Sequence, residues 1–285
     1  MESSSFRPPA SYIPPEPSAA EVKQVRSGPV GNAFQEIGDL TEFFGNSVVG
    51  LRRVPRYLSE VLRQAGILIR GSTIIIFAMC LFIGMTVVVF AYFLEKAVGA
   101  QDFTGVFAGI VMPRAAVPIM FGYVFSAKVG CGMVAEIGAM RINDELDAFE
   151  VEGVNPMSYV VGTRLIGSLI YVPVAVTVGL LGGYFGSYFQ GVTVYHATAP
   201  GTFTHFNWAS QNITDNLQAY LNMGSMAMFI VIVSCFYGYF ASGGPAGVGK
   251  ACARSLLVNI VMVHVIATFW VFIFFGINPS LPIGG

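Results

Sequence analysis

Charge is scarce in this chain. Only 11% of its 285 residues are Asp, Glu, Lys or Arg, against about 25% in an ordinary soluble domain. Hydrophobic residues make up 54% of the sequence, and the mean hydropathy is +0.67. This composition excludes an ordinary soluble globular protein and predicts a membrane protein that crosses the bilayer several times.

An excess of positive charge is also lacking. The formal net charge is −1, so the chain has no overall basic field of the kind that attracts nucleic acid. We therefore expect no nucleic-acid partner.

Metal-ligating and catalytic patterns are missing as well. The four cysteines show no C-x-x-C spacing, which favours reduced packing residues over a redox or zinc site. His196, His205 and His264 do not form an H-E-x-x-H pattern. Few acids interrupt the apolar runs, so a proton relay of membrane-embedded carboxylates is not expected. We predict no catalytic residue, no metal site and no cofactor bound by this chain.

The N-terminal residues lack the apolar core of a secretory signal peptide. Residues 1–34 are rich in Pro and Ser, which predicts a disordered cytoplasmic tail. Residues 35–65 mix apolar and arginine side chains and are interrupted at Pro55. This pattern favours an amphipathic helix that lies in the membrane interface.

Five apolar stretches have the length that a bilayer requires, about 20 residues each. We predict spans at residues 72–94, 115–135, 165–189, 223–241 and 256–276. Basic residues concentrate before span one, between spans two and three, and between spans four and five: Arg52, Arg53, Arg56, Arg63, Arg70, Arg141, Arg164, Lys250 and Arg254. Because cytoplasmic loops carry the excess of Lys and Arg, we expect a cytoplasmic N-terminus and an extracytoplasmic C-terminus.

One segment comes close to a nucleotide-binding P-loop. Gly244, Gly249 and Lys250 fit G-x-x-x-x-G-K, but Ala251 stands where the hydroxyl that holds Mg²⁺ is needed. The preceding apolar run is also much longer than a buried strand. We interpret the segment as a basic cytoplasmic turn between spans four and five, so the chain has no nucleotide site of its own.

Two features inside the predicted spans each leave two interpretations open. Gly182 and Gly186 have the G-x-x-x-G spacing that packs membrane helices closely, although glycine is also simply frequent in such helices. Lys128 lies within the second window, where an ammonium either extends to the inner surface or makes a functional contact across a subunit interface.

The cytoplasmic segment between spans two and three is the most informative. We predict a short helix over residues 143–152, capped by Asn143, in which Ile142, Leu146 and Phe149 form an apolar stripe. Acidic residues occupy the other faces, and this pattern favours docking into another protein. A solvated loop helix is the alternative.

This segment carries a resemblance to a known family. It resembles the signature of the MlaE/YrbE permeases, membrane subunits of ABC transporters that move lipids together with Mce-domain proteins. The matching positions are Ala135, Glu136, Gly138, Met140, Arg141, Glu145, Leu146, Asp147, Ala148, Gly153, Val154, Asn155 and Pro156. Arg114, Pro118, Lys128, Gly130 and the turn SGGPAGVGKA also fit, so the resemblance covers roughly residues 40 to 275. Val117, Lys128 and Thr163 depart from the family pattern.

The chain looks most similar to the B-type YrbE subunits of actinobacterial Mce systems. That resemblance implies an all-α permease with five transmembrane helices in the inner membrane. It implies four kinds of partner: a paralogous A-type permease, an ABC ATPase dimer that uses ATP and Mg²⁺, a hexamer of Mce proteins, and a lipid substrate. It also implies ATPase coupling by Glu136, Arg141, Ile142, Asp144, Glu145, Leu146, Asp147, Phe149 and Glu150. A scaffold subunit that anchors the Mce ring, or an ATP-independent lipid channel or carrier, remains the alternative.

Overall fold

The computed structural model describes residues 29–276, with side chains from residue 36 onward except those at positions 49 and 53. The regular structure of these residues is helical, and no strand occurs among them. The predicted all-α class is therefore confirmed. The predicted tail comprised residues 1–34. Residues 1–28 lie outside the described part of the chain, and residues 29–34 belong to a helix.

The first helix, α1, comprises Pro29–Gly50. The chain forms two compact units that divide between Phe43 and Phe44, inside this helix. In the first unit, the Thr41 hydroxyl donates a hydrogen bond to the Ile37 carbonyl at 2.7 Å. This bond stays within the helix. The second unit contains all of the long apolar helices.

A 3₁₀ turn, Leu51–Tyr57, follows α1 and contains Pro55. Proline lacks the backbone N–H that an α-helix needs, so the helix is interrupted here, as predicted. A new α-helix then runs without a break over Leu58–Ala97. Residues 58–65 therefore continue into the first apolar helix and do not belong to a separate interfacial helix.

Five helical segments of the described part of the chain are long and apolar enough to cross a membrane. They are span 1, Val54–Ala97; span 2, Gln101–Ile142; span 3, Met157–Val194; span 4, Ile213–Tyr239; and span 5, Gly244–Phe275. The predicted number of spans is confirmed. Each helix begins well before its predicted window, because a membrane helix continues past the hydrocarbon layer into polar sequence.

Two short helices lie between spans. Helix α2, Glu145–Val151, connects spans 2 and 3, and helix α3, Pro200–Ala209, connects spans 3 and 4. Consecutive spans run in opposite directions, so α2 lies where spans 1, 3 and 5 begin and α3 lies where they end. We call these ends of the second unit the α2 side and the α3 side.

Span 4 forms the centre of the bundle. Within the chain, 67% of its apolar window is buried, compared with 28% for span 1 and 17% for span 5. Spans 1 and 5 therefore present wide apolar surfaces outward, as is expected of helices that contact lipid or another membrane subunit.

Spans 1 and 3 pack with their backbones in close contact. A Cβ atom added at Gly182 would lie 2.6 Å from the Phe77 carbonyl oxygen, and one at Gly186 would overlap the Leu81 carbonyl. On span 1, a Cβ at Gly84 would overlap the Gly183 carbonyl. We call these positions, together with Gly167, the glycine seam. Small residues allow this approach, and close packing drives helix association where lipid replaces water.

The seam predicts how the chain responds to one added methyl group. We expect Gly186→Ala to destabilise the folded protein by about 1–3 kcal/mol, because its Cβ would force the two helix backbones apart. The measurement is the thermal unfolding midpoint in detergent. Gly224→Ala is the matched control, since a Cβ there meets no atom within 4 Å. A similar midpoint for both variants would contradict the seam.

Candidate functional site

The segment that connects spans 2 and 3 consists of α2 with one sharp turn before it and one after it. Asp144 precedes the helix with a φ of 57°, and Gly153 follows it with a φ of 76°. Asn143 ends the helix of span 2, and no side-chain cap bonds the start of α2. The predicted cap at Asn143 is thus wrong, and the α-helix comprises Glu145–Val151 instead of residues 143–152.

The predicted apolar stripe does not form one face of α2. Ile142 is the last residue of span 2's helix, and the left-handed Asp144 separates it from Leu146. Leu146 is only 1% exposed, so it packs within this chain. Phe149 contacts the ring of Tyr159, with centroids 5.3 Å apart, and Tyr159 contacts Tyr57 at 5.2 Å. Phe149 therefore attaches α2 to span 3, and Tyr159 connects span 3 to Tyr57 of span 1.

Charged pairs reinforce this attachment. Arg141, in the last turn of span 2, donates to Asp147 at 2.7 Å. Glu136 lies 2.9 Å from Arg164, a guanidinium that is almost fully buried and also donates to the Val160 carbonyl. These bonds connect span 2 both to α2 and to the start of span 3.

The exposed edge of α2 is acidic and carries one large apolar residue, Val151. Asp144, Glu145 and Glu150 are exposed, and Val151 is 90% exposed. This edge differs from the surface predicted from the sequence, in which Ile142, Leu146 and Phe149 were the apolar contact residues.

Lys128 lies in a π-helical turn of span 2, Phe125–Gly130. Its side chain is exposed, and its ammonium donates to the Gly71 carbonyl of span 1. Gly71 begins the uncharged stretch of span 1 that continues to residue 94. Two interpretations of Lys128 were open. Its exposed position and its contact within its own chain agree with the first, a side chain that extends to the membrane surface.

A buried ion pair near the α3 side was missed by the sequence analysis. The Nε atom of Arg114 lies 2.9 Å from the Oδ1 atom of Asp215, and their side chains are 10% and 1% exposed. The Arg114 guanidinium also lies 3.9 Å from the ring centre of Phe275. The predicted windows left both residues outside the spans, because span 2 began at residue 115, after Arg114, and span 4 began at residue 223, after Asp215.

More polar side chains follow on span 4. Gln218 donates to the Arg114 carbonyl at 3.3 Å, and Asn222, one turn further on, is fully buried. Within the described residues, neither amide atom of Asn222 has a hydrogen-bond partner. Spans 2 and 4 thus enclose a polar cluster in an otherwise apolar bundle.

A local signal does mark the true start of span 4. Asn212 and Asp215 form a capping box, in which the Asn212 side chain accepts from the Asp215 N–H and the Asp215 carboxylate accepts from the Asn212 N–H. An N-x-x-D pattern ahead of an apolar run is a recognised helix start.

Comparison with known proteins identifies the family of this chain. The family model of the MlaE permeases matches residues 61–273, which include all five spans in large part. The chain belongs to the MlaE permease family. It is therefore a multi-pass protein of the inner membrane.

Two relatives show how far the similarity extends. A probable ABC transporter permease protein of Rickettsia felis is 26% identical over 231 residues, which cover 80% of this chain and 88% of the relative. The intermembrane phospholipid transport system permease protein MlaE of Haemophilus influenzae is 22% identical over 225 residues, or 79% of this chain and 86% of that protein.

The segment that comes close to a P-loop in sequence does not have the structure of one. Span 4 ends at Tyr239, and span 5 begins at Gly244 after the left-handed Gly243, so Lys250 lies within a helix. A P-loop instead connects a strand to a helix. Among the described residues, no three His, Cys, Asp or Glu side chains are grouped so as to hold a metal ion.

Because the Arg114–Asp215 pair is buried, we expect the loss of one of its charges to lower the stability of the protein strongly. We expect Asp215→Asn to destabilise the protein by about 3–5 kcal/mol, because it leaves the Arg114 guanidinium without its counter-charge. Thermal unfolding in detergent measures the effect. Arg63→Gln is the control, because Arg63 is 60% exposed in its pair with Glu60 and such pairs contribute about 1 kcal/mol or less. Equal losses would contradict a special role for the buried pair.

Proposed function

We propose that this chain is the membrane subunit of an ABC transporter that moves lipids across the inner membrane with energy from a separate ATPase. Its membership of the MlaE family supports this proposal, and so does the name of the Haemophilus relative, a phospholipid transport permease. The observation that carries it is α2, a short acidic helix attached to spans 2 and 3.

The α2 side faces the cytoplasm in this proposal. Arg70, Arg141, Lys250 and Arg254 lie at the span ends of that side, whereas Lys96 lies on the α3 side. The excess of Lys and Arg on one side agrees with the positive-inside rule. The ATPase is a cytoplasmic partner, so α2 is the element positioned to contact it.

In this proposal, some residues of α2 hold the helix in the permease and others contact the ATPase. Leu146 and Phe149 anchor the helix inside the permease, and the Arg141–Asp147 pair fixes its orientation. The exposed acids and Val151 then meet the ATPase. Movement of the ATPase is transmitted through Phe149 and Tyr159 to Tyr57, at the start of the long helix of span 1.

The remaining partners are proposed from the family resemblance. The outward apolar surface of span 5 suits contact with a second permease, which we propose is an A-type paralogue in a heterodimer. A hexamer of Mce proteins would then lie on the α3 side. Fatty acids, mycolic acids, sterols and phospholipids all have the apolar chains or rings that such a bundle accommodates.

Charge reversal on the acidic edge tests the ATPase contact. We expect Glu145→Lys combined with Glu150→Lys to reduce the ATPase activity that co-purifies with the tagged permease, and the reduction relative to wild type should be larger at low salt than at high salt. Both acids are exposed, and exposed charges are screened over about 8–10 Å at physiological ionic strength. Asp102→Lys, an exposed acid on the α3 side, is the control and should retain the activity. Equal recovery from all variants would overturn the proposed contact.

Two apolar substitutions separate anchoring from contact. Phe149→Ala should loosen α2 and uncouple ATP hydrolysis from lipid stimulation, since it removes the contact with Tyr159. Val151→Asp should weaken ATPase binding while the thermal unfolding midpoint stays unchanged, because the side chain is 90% exposed. Lipid-stimulated ATP hydrolysis in nanodiscs measures both. Normal coupling in the Phe149 variant would contradict transmission through Tyr159.

A further inference from the structure

Two exposed cations lie near the point where the uncharged part of span 1 begins. Arg70 is the last charged residue before that stretch, which continues to residue 94. The Lys128 ammonium, from span 2, donates to the carbonyl of the next residue, Gly71. Arg70, Gly71 and Lys128 are all exposed, so this contact lies on the outer surface of the bundle.

The contact fixes the depth of the Lys128 ammonium. An uncharged stretch of this length corresponds to the hydrocarbon layer, so its first residue lies near the boundary with the lipid headgroups. The flexible side chain of Lys128 carries its charge from span 2 to that boundary. Both cations therefore lie at the depth of lipid phosphates on the α2 side.

Neither cation is neutralised within the protein. In the described part of the chain, the four ion pairs involve neither Arg70 nor Lys128. The acids of the α2 side that lie on spans 1 and 2 have other partners, Glu60 with Arg63 and Glu136 with Arg164. An ammonium bonded only to a neutral carbonyl keeps its full positive charge, and at this depth an anionic lipid headgroup is attracted to it.

The surface around the two cations suits an amphiphile. Ile67 and Ile74 lie on the same face of span 1 as Arg70, three residues before and four after it, and are 52% and 78% exposed. Gly132, one turn after Lys128, leaves open space, since a Cβ there would meet no atom within 4 Å. An acyl chain can therefore follow Ile74 into the membrane below the charged headgroup.

We propose that Arg70 and Lys128 form a binding site for an anionic phospholipid of the surrounding bilayer. The lipid phosphate is held between the guanidinium and the ammonium, and one acyl chain lies against span 1. This site lies on the outer surface of spans 1 and 2 and concerns a bilayer lipid rather than a transported one. It does not depend on the proposed ATPase coupling.

The test uses the full chain in phosphatidylcholine nanodiscs that contain pyrene-labelled phosphatidylglycerol. Lys128→Met and Arg70→Gln should each weaken phosphatidylglycerol binding about fivefold, which corresponds to about 1 kcal/mol per cation near an anionic surface. Lys128→Arg should retain most of the binding, because it keeps the charge. Arg254→Gln, which removes another exposed cation of the α2 side, should have no effect.

Three outcomes would overturn the proposal. One is unchanged binding in the Lys128→Met and Arg70→Gln variants when their thermal unfolding midpoints match the wild type. A second is an equal loss in the Arg254 variant, which would indicate general surface charge. The third is complete displacement of the lipid by inorganic phosphate alone, which would indicate a site for a free anion.

Discussion

The close approach of the span 1 and span 3 backbones determines the rest of the bundle. At the α2 end, a Cβ atom at Gly167 would lie 3.2 Å from the Val61 carbonyl oxygen, and further along Gly182 and Gly186 meet the carbonyls of span 1. The two helices run in parallel, so the seam sets their relative register from end to end. That register brings Tyr159 to Tyr57 and so fixes where α2 attaches.

The all-α fold class, the number of spans and the short helix between spans 2 and 3 could be predicted from the sequence, because each depends on local patterns. Apolar runs of membrane length are visible without any tertiary information. The ends of the helices are not visible in this way. Charged residues such as Arg114 and Lys128 do not stop a helix, and their sequence context does not show whether they are buried. A hydropathy window therefore found each span but missed the polar turns at its ends.

The short helix between spans 2 and 3 was predicted, but the packing of its apolar side chains was not. Spacing of Ile142, Leu146 and Phe149 describes an apolar face without showing whether that face meets the same chain or a partner. The left-handed Asp144 separates the first of these residues from the other two, and non-glycine residues adopt that conformation too rarely to be expected. Likewise, Arg114 and Asp215 are far apart in sequence, so only the folded bundle shows that they pair.

The two π-helical turns of span 2 have a geometric consequence for its charged residues. Residues 114 and 128 are about 3.9 turns apart in a regular α-helix, so both side chains would point in nearly the same direction. Each π turn, Met112–Ala116 and Phe125–Gly130, accommodates an extra residue and shifts the helical phase by up to about 100°. This shift in phase allows one helix to direct Arg114 into the bundle and Lys128 out toward its surface.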